Sequence, residues 1–414
     1  MPAMPTSRPP QRVLLLTRGG PMNGCQYQMQ YLIEGLDRRR FEPIVAAPRA
    51  DGELAALAQL GVQTHVLPMR DWRRYPAALG RPLDLWRLAR WAARWKPALV
   101  HGADFWKGRY AIALGRALRI PSVVHVRGPF QARDVRKYRL DRASALVAIA
   151  QRFAADLVSF GVPASKVTLI DDSVDTSRYR PRMDHEPDVL GELYPAARGV
   201  RVGLVGRIEP FKRQLDYLEA VAPLARAHPD HATFFLIGAV GDERYHRRVL
   251  EFIHQQGLAD RVVRTGRRED MAAVMQSLDV LVTFSGGSVM FEAMACGKPV
   301  VSVRDDPRHS THVRHEETGL RVTGREPARA TTAIQRLIED PSLRARLGEA
   351  ARRWVTANLT THTMAERTAA LYDQLLAASA STDAPPEALD DSAANPGTAR
   401  AQRSAAARMG RSGA

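Results

Sequence analysis

Cysteine is almost absent: Cys25 and Cys296 are the only two. Two thiols cannot build a disulfide framework or a cysteine metal cluster, and they fit a reducing compartment. No stretch reaches eighteen consecutive apolar residues, so no membrane-spanning helix is expected. The first apolar run, Val13–Leu16, is too short for a signal-peptide core, so a cytoplasmic location is expected. Lysine is scarce as well, supplying only 6 of the 60 basic residues. Where a lysine does stand, composition alone would more often have put arginine.

What remains is ordinary for a globular protein: 45% apolar and 25% charged residues over 414 positions, enough for two or three domains. The net charge of +16 is lopsided. Residues 1–190 hold 30 Lys+Arg against 17 Asp+Glu, and the rest hold 30 against 27. The excess points to an anionic surface or partner for the first half, with arginine-rich composition as the bland alternative.

Short continuous apolar runs alternate with helical patterns. "RVLLLT" (12–17), "PIVAAP" (43–48), "VQTHVLP" (62–68), "ALVH" (98–101), "PSVVHV" (121–126), "ALVAIA" (145–150) and "KVTLI" (166–170) read as buried strands. Met29, Leu32, Ile33 and Leu36 mark a helix between the first two. A polar, Pro- and Gly-containing stretch follows, read as a linker over 183–200. The alternation then restarts with "RVGLVG" (201–206), "TFFLIG" (233–238), "RVVRTG" (261–266), "DVLVTF" (279–284) and "PVVSV" (299–303). The fold class is therefore α/β: a flexible start over 1–11, a doubly wound domain over 12–182 and a second over 201–360. A C-terminal helix over 361–378 follows, then a disordered Ala/Ser/Pro/Gly-rich tail over 379–414. Two such domains predict a cleft at the carboxyl ends of their strands.

Two segments carry chemistry. In "GRIEPFK", a strand ends at Gly206, Arg207 follows, and Lys212 stands at the start of a helix. A guanidinium fork and a compact ammonium beside a helix N-terminus suit a diphosphate; a solvated basic helix start is the other reading. In "FSGGSVMFEAMACGKPVV", Gly286 and Gly287 permit close backbone approach, and Ser288 is placed to cap a helix beginning near Val289. Glu292 is the single charge on that helix. Vicinal hydroxyls such as those of a ribose would satisfy it, or it stands at the rim of ordinary core packing.

Together these segments resemble the retaining nucleotide-sugar glycosyltransferases of the GT-B fold, family 4. Further ordered stretches agree, among them "TRGGPMNGCQYQMQYLIEGL", "PALVHGADFW", "DRASALVAIAQRFAADLVSFGVPASKVTLIDDSVDTSRYRP" and "EETGLRV", so the resemblance spans roughly residues 12 to 375. It implies that Arg207 and Lys212 hold the donor diphosphate and help the nucleotide leave. Glu292 would bind the ribose, with Gly206, Gly286, Gly287, Ser288 and Val289 contacting the donor and Gly19 and Gly20 lining the cleft opposite. It implies hexose transfer with retention from a nucleotide-sugar donor to a glycan or lipid-linked acceptor, in cell-surface polysaccharide, lipopolysaccharide or glycolipid synthesis. No Asp-x-Asp pair occurs, so neither a metal nor another cofactor is expected. Other nucleotide-sugar chemistry, such as epimerisation or hydrolysis, and non-catalytic nucleotide-sugar binding are the alternatives.

Two positions depart from the family pattern. A second glutamate, eight residues before the ribose-binding one, is replaced by Phe284. In "HVRGPF", Arg127 stands where the family often has His, with His125 two residues earlier. Strand alternation puts His125 and Arg127 on one side, so either could face the donor sugar; His125, like His101, also reads as a core residue. Between Arg70 and Lys96 lie eight basic residues, two acids and Trp72, Trp86, Trp91 and Trp95. That zone fits an anionic membrane surface, giving peripheral contact with the inner face of the plasma membrane. It also fits a packed helix with solvated arginines. Nucleic acid is the weakest partner, since no nucleic-acid motif is present.

Overall fold

The computed structural model describes residues 9–71, 81–227, 230–304, 312–324 and 326–383. Two wholly parallel sheets dominate it. The first contains β1 (Gln11–Leu16), β2 (Phe41–Ala47), β3 (Gln63–Val66), β4 (Leu99–Gly102), β5 (Ser122–Val126), β6 (Ala145–Ala148) and β7 (Val167–Leu169), in the order β3-β2-β1-β4-β5-β6-β7. The second contains β8 (Val200–Val205), β9 (Ala232–Ile237), β10 (Val262–Gly266), β11 (Val280–Thr283), β12 (Val300–Arg304) and β13 (Gly319–Thr323), in the order β10-β9-β8-β11-β12-β13. Parallel strands covered on both faces need apolar residues throughout, and β1, β4, β5, β6, β9 and β11 are buried along most or all of their length. β13 had no strand reading in the sequence. It is an edge strand whose Arg321 and Thr323 face outward, which breaks the continuous run.

Each sheet reverses its winding at one place, between β1 and β4 in the first and between β8 and β11 in the second. There the loops after neighbouring strands diverge to opposite faces and leave a crevice at the carboxyl edge. The chain passes between the sheets twice, and the two passages touch. Val174 donates its N–H to the carbonyl of Leu359 at 2.9 Å and bridges to Thr360.

The stretch read as a linker is packed rather than loose. It holds a helix, Val189–Leu193, with Leu190 fully buried, while Asp188 pairs with Arg201 and the Tyr194 ring meets Phe235 edge-on. The last helix runs from Thr361 to Asp383, past the end expected at 378; the tail beyond it lies outside the described residues. This helix returns to the first sheet. Met364, Ala365, Ala369, Leu371 and Tyr372 join the core built by Val13, Leu15, Leu32 and Phe41, and the Tyr372 ring packs edge-on against Phe41. Its partner is the first helix, Gly24–Gly35. Gly35 allows the close approach, because a Cβ there would lie 2.7 Å from the Ala365 Cβ and 2.9 Å from the Thr361 carbonyl.

Gly35→Val is expected to destabilise the protein by about 1–3 kcal/mol through overpacking against backbone that cannot yield. Chemical denaturation would measure it, and an unchanged midpoint would show that the two helices do not depend on this contact.

Candidate active site

On the second sheet, the loop after β8 makes a tight 3-10 turn over Pro210–Lys212. Gly206 at its start has φ +152°, and a Cβ there would meet the Lys212 Cδ at 2.9 Å. The lysine chain therefore folds back over the strand end through space that a side chain would fill. Burial holds the Lys212 pKa below the ordinary lysine value. Glu209 opposes that shift, while Arg207 and Arg304 push the same way. Arg207 is exposed and pairs with Glu209 at 3.0 Å. Two of the three cations were marked in the sequence as a diphosphate pair. The third, Arg304, was not: it ends β12, and nothing local in "VVSVRDD" ties it to the turn near Lys212.

The loop after β11 brings Phe284, Ser285, Gly286 and Gly287 to the same edge. Phe284 is buried in the core of the second sheet, and Arg213 lies over its ring at 5.3 Å. Gly286, with φ +65°, serves a purpose different from close ligand approach. A Cβ there would overlap the Nη2 of Arg304, and its N–H donates to Thr283 Oγ1 at 2.9 Å. Its amide is thus committed within the loop. Gly287, with φ +100°, has open space around its α-carbon. Ser288 makes no side-chain capping bond, because it already has helical angles (φ −59°, ψ −21°). Val289 opens the short helix Val289–Ala295 and packs half-buried on the core.

Glu292 is half-buried on that helix. Burial pushes its carboxyl up to about 7, against the pull of Arg178, a hydrogen bond from Tyr179 and the charge of Lys212. The Tyr31 and Tyr179 hydroxyls are raised in turn, mainly by burial and then by Glu292. Tyr31 belongs to the first helix, so Glu292 faces the first sheet's domain across the cleft.

Opposite, the loop after β1 carries Gly19 and Gly20. Gly20 donates its N–H to Asp51, and Arg18 pairs with Asp104 at 2.7 Å across the winding reversal. A cavity of about 360 Å³ opens here, lined by Arg18, Gly19, Gly20, Gln26, Asp71 and Lys107 among others. Arg18 also stacks on Trp106 at 3.9 Å, and Lys107 is buried with its Nζ donating to the Met69 carbonyl at 3.0 Å. Gln26 donates to the Gly19 carbonyl, leaving its buried Oε1 without a hydrogen-bond partner.

His125 and Arg127 do sit together, but not as open groups facing a sugar. His125 Nδ1 lies 2.7 Å from His101 Nε2, and His101 Nδ1 lies 2.5 Å from the Tyr372 hydroxyl on the returning helix. Burial, with Arg127 nearby, holds His101 down at about 3 and His125 well below its ordinary value, so both rings are neutral. The Arg127 side chain is 3% exposed, committed to Asp172 and the Ala103 carbonyl. Sequence alternation gave the shared side correctly. It could not show that a helix more than two hundred residues away closes over the pair.

In the basic zone, the helix Arg81–Trp95 buries Leu88 and Ala92, with Leu85 and Ala89 partly covered. Trp91 and Trp95 pack on His65 at 4.8 and 5.2 Å. Leu83 and Trp86 are exposed, the latter at 56%. Trp72, Arg73 and Arg74 lie outside the described residues. Among the described residues no helix is long and apolar enough to cross a membrane, and both cysteines are free thiols.

Comparison with known proteins follows the same two-part division. The model for Glycosyltransferase Family 4 matches residues 22–178, and that for Glycosyl transferases group 1 matches 199–340. A GDP-mannose-dependent alpha-(1-6)-phosphatidylinositol monomannoside mannosyltransferase of Mycobacterium tuberculosis is 31% identical over 234 residues, 53% of this chain and 57% of that one. The chain thus spans little more than half the length of this relative. A glycogen synthase of the same organism is 25% identical over 67% of this chain and 69% of its own. A crystal structure of Anabaena HepE in complex with UDP and glucose superposes with a TM-score of 0.77 at 21% identity, covering 88% of this chain and 100% of that one. One model falls on each sheet's domain and a full-length GT-B structure overlies both, so the chain belongs to the group 1, family 4 glycosyltransferases.

Proposed function

We propose that the protein transfers a hexose from a nucleotide-sugar donor to a glycan or lipid-linked acceptor, with retention, in the synthesis of cell-surface polysaccharide or glycolipid. One observation carries the reading: the rare lysine, Lys212, is folded back by Gly206 onto the winding reversal of the second sheet, beside Arg207 and opposite Glu292. A partly desolvated ammonium there stabilises charge developing on a departing diphosphate far better than it would in water. Arg207 adds a second cation from the solvent side, and Glu292 accepts the ribose hydroxyls. Family membership supports retention, and the relatives named for glycolipid mannosyl transfer support the substrate class.

The acceptor occupies the cavity beneath Gly19 and Gly20. Gln26 Oε1, Asp71 and Lys107 there offer the mixed acceptors and donors that a hydroxylated ring needs. Leu83 and Trp86, exposed beside Arg87 and Arg90, supply a small surface for an anionic bilayer, so that a lipid-linked acceptor is reached without a membrane span.

Lys212→Ala is expected to lower kcat by about 10²–10³-fold. A nucleotide-sugar turnover assay would measure it, and near-normal rates would remove Lys212 from the leaving-group role. The elevated Glu292 pKa generates a second expectation. Its ionised form is the better acceptor for two hydroxyls, and a nucleotide sugar's diphosphate does not titrate near neutrality. Donor affinity should therefore rise as pH passes from 6 to 8, and Glu292→Gln should flatten that rise. Calorimetric titration at several pH values tests this, and an identical slope in the variant would place the ribose elsewhere.

A further inference from the structure

Residues 171–174, just after β7, are gripped from several sides. Asp172 pairs with Arg127, which follows β5 at the carboxyl edge of the first sheet. Ser173 exchanges two hydrogen bonds with Gln28 of the first helix, at 2.7 and 2.8 Å. Both contacts hold the segment to the first domain. Asp171 turns the other way. Its Oδ1 lies 2.8 Å from Nε2 of His312, which stands between β12 and β13 of the second sheet. A carboxylate only accepts, so the histidine nitrogen donates. The two side chains are 13% and 16% exposed, so water weakens the bond little. The His312 ring is wedged between Phe291 and Trp354, edge-on to each, with centroids 5.0 and 5.8 Å apart. Phe291 precedes Glu292 on the helix Val289–Ala295. Arg367 of the returning helix stands 3.9 Å from the other oxygen of Asp171. Adjacent carboxylates thus hold one wall of the cleft each, Asp172 that of the first domain and Asp171 the helix that carries Glu292.

We propose that His312 is a positioning residue for the transfer: through its bond to Asp171 it sets how far the Glu292 helix stands from the first domain. In the reading above, on which this inference rests, the second domain holds the donor and the first holds the acceptor. Transfer then needs the two walls at one separation, and about 1 Å of misplacement can cost roughly 10²-fold in rate. Binding of the nucleotide alone draws on the second domain and does not need that separation. The His312 ring and its nitrogen serve separable ends. Phe291 and Trp354 need only an aromatic neighbour, whereas Asp171 needs an N–H.

Two substitutions in the full chain separate those roles. His312→Phe keeps a ring between Phe291 and Trp354 but removes the donor, while His312→Gln keeps a donor N–H and loses the ring. With whichever of UDP-glucose and GDP-mannose the protein consumes, His312→Phe is expected to lower kcat by about 10-fold or more. His312→Gln should stay within ~3-fold of the unaltered protein. Calorimetric affinity for UDP or GDP should change by less than ~2-fold in both variants, which also shows that they are folded. Small-angle X-ray scattering should give His312→Phe a larger radius of gyration than the other two proteins. Asp171→Ala combined with His312→Phe should lose no more than Asp171→Ala alone, because the two side chains act as one unit. A loss in His312→Gln as large as that in His312→Phe would overturn the proposal, since ring packing would then account for it. So would kcat and scattering in His312→Phe equal to those of the unaltered protein. If neither donor is consumed and neither UDP nor GDP binds, the donor reading itself fails, and scattering alone decides the role of His312.

Discussion

All strands of both sheets run parallel, and this constraint governs everything else in the molecule. In a parallel sheet every strand ends at the same edge, so every outgoing loop and its chemistry collect on one side. The winding reversals between β1 and β4 and between β8 and β11 then choose the place along each edge. Arg18, Gly19 and Gly20 arrive at the first reversal, and Gly206, Lys212 and the Phe284–Gly287 loop at the second. Most residues of the site stand just beyond a strand buried for other reasons, and Glu292 is carried by the short helix Val289–Ala295 that follows β11.

Charge is the cost of that arrangement. Arg127 and Asp172, Arg18 and Asp104, and Lys107 against the Met69 carbonyl and Asp71 are all cations held in partly or wholly dry places. A buried charge without such compensation would be severely unfavourable. Most of the cations around the cleft are therefore paired within the protein. Around Lys212, Arg207 and Arg304 disfavour the ammonium, while Glu209 and Glu292 favour it.

Much of this was legible from residues alone. Continuous apolar runs marked twelve strands, because burial on both faces leaves little room for polar residues; β13 escaped because an edge strand tolerates Arg321 and Thr323 outside. Lys212 was legible through its rarity and its place after a strand-ending glycine. Arg304 and the His101–His125–Tyr372 chain were not, since each depends on segments brought together by packing rather than by spacing. Gly286 shows the limit most plainly. Its lack of a side chain was visible, but the neighbour filling the gap lies on another strand.

The returning helix has a consequence for how the protein is made. Residues 364–372 complete the core of the first sheet, and Tyr372 caps the histidine chain within it. During synthesis from the N-terminus, that sheet must wait with one face uncovered until the whole second domain has been translated. Its folding is therefore a long-range closure, slow in the way that distant contacts are slow. Through this interval the nascent first domain exposes an apolar face around Leu32, Phe41 and Val45, a surface suited to a chaperone's grip.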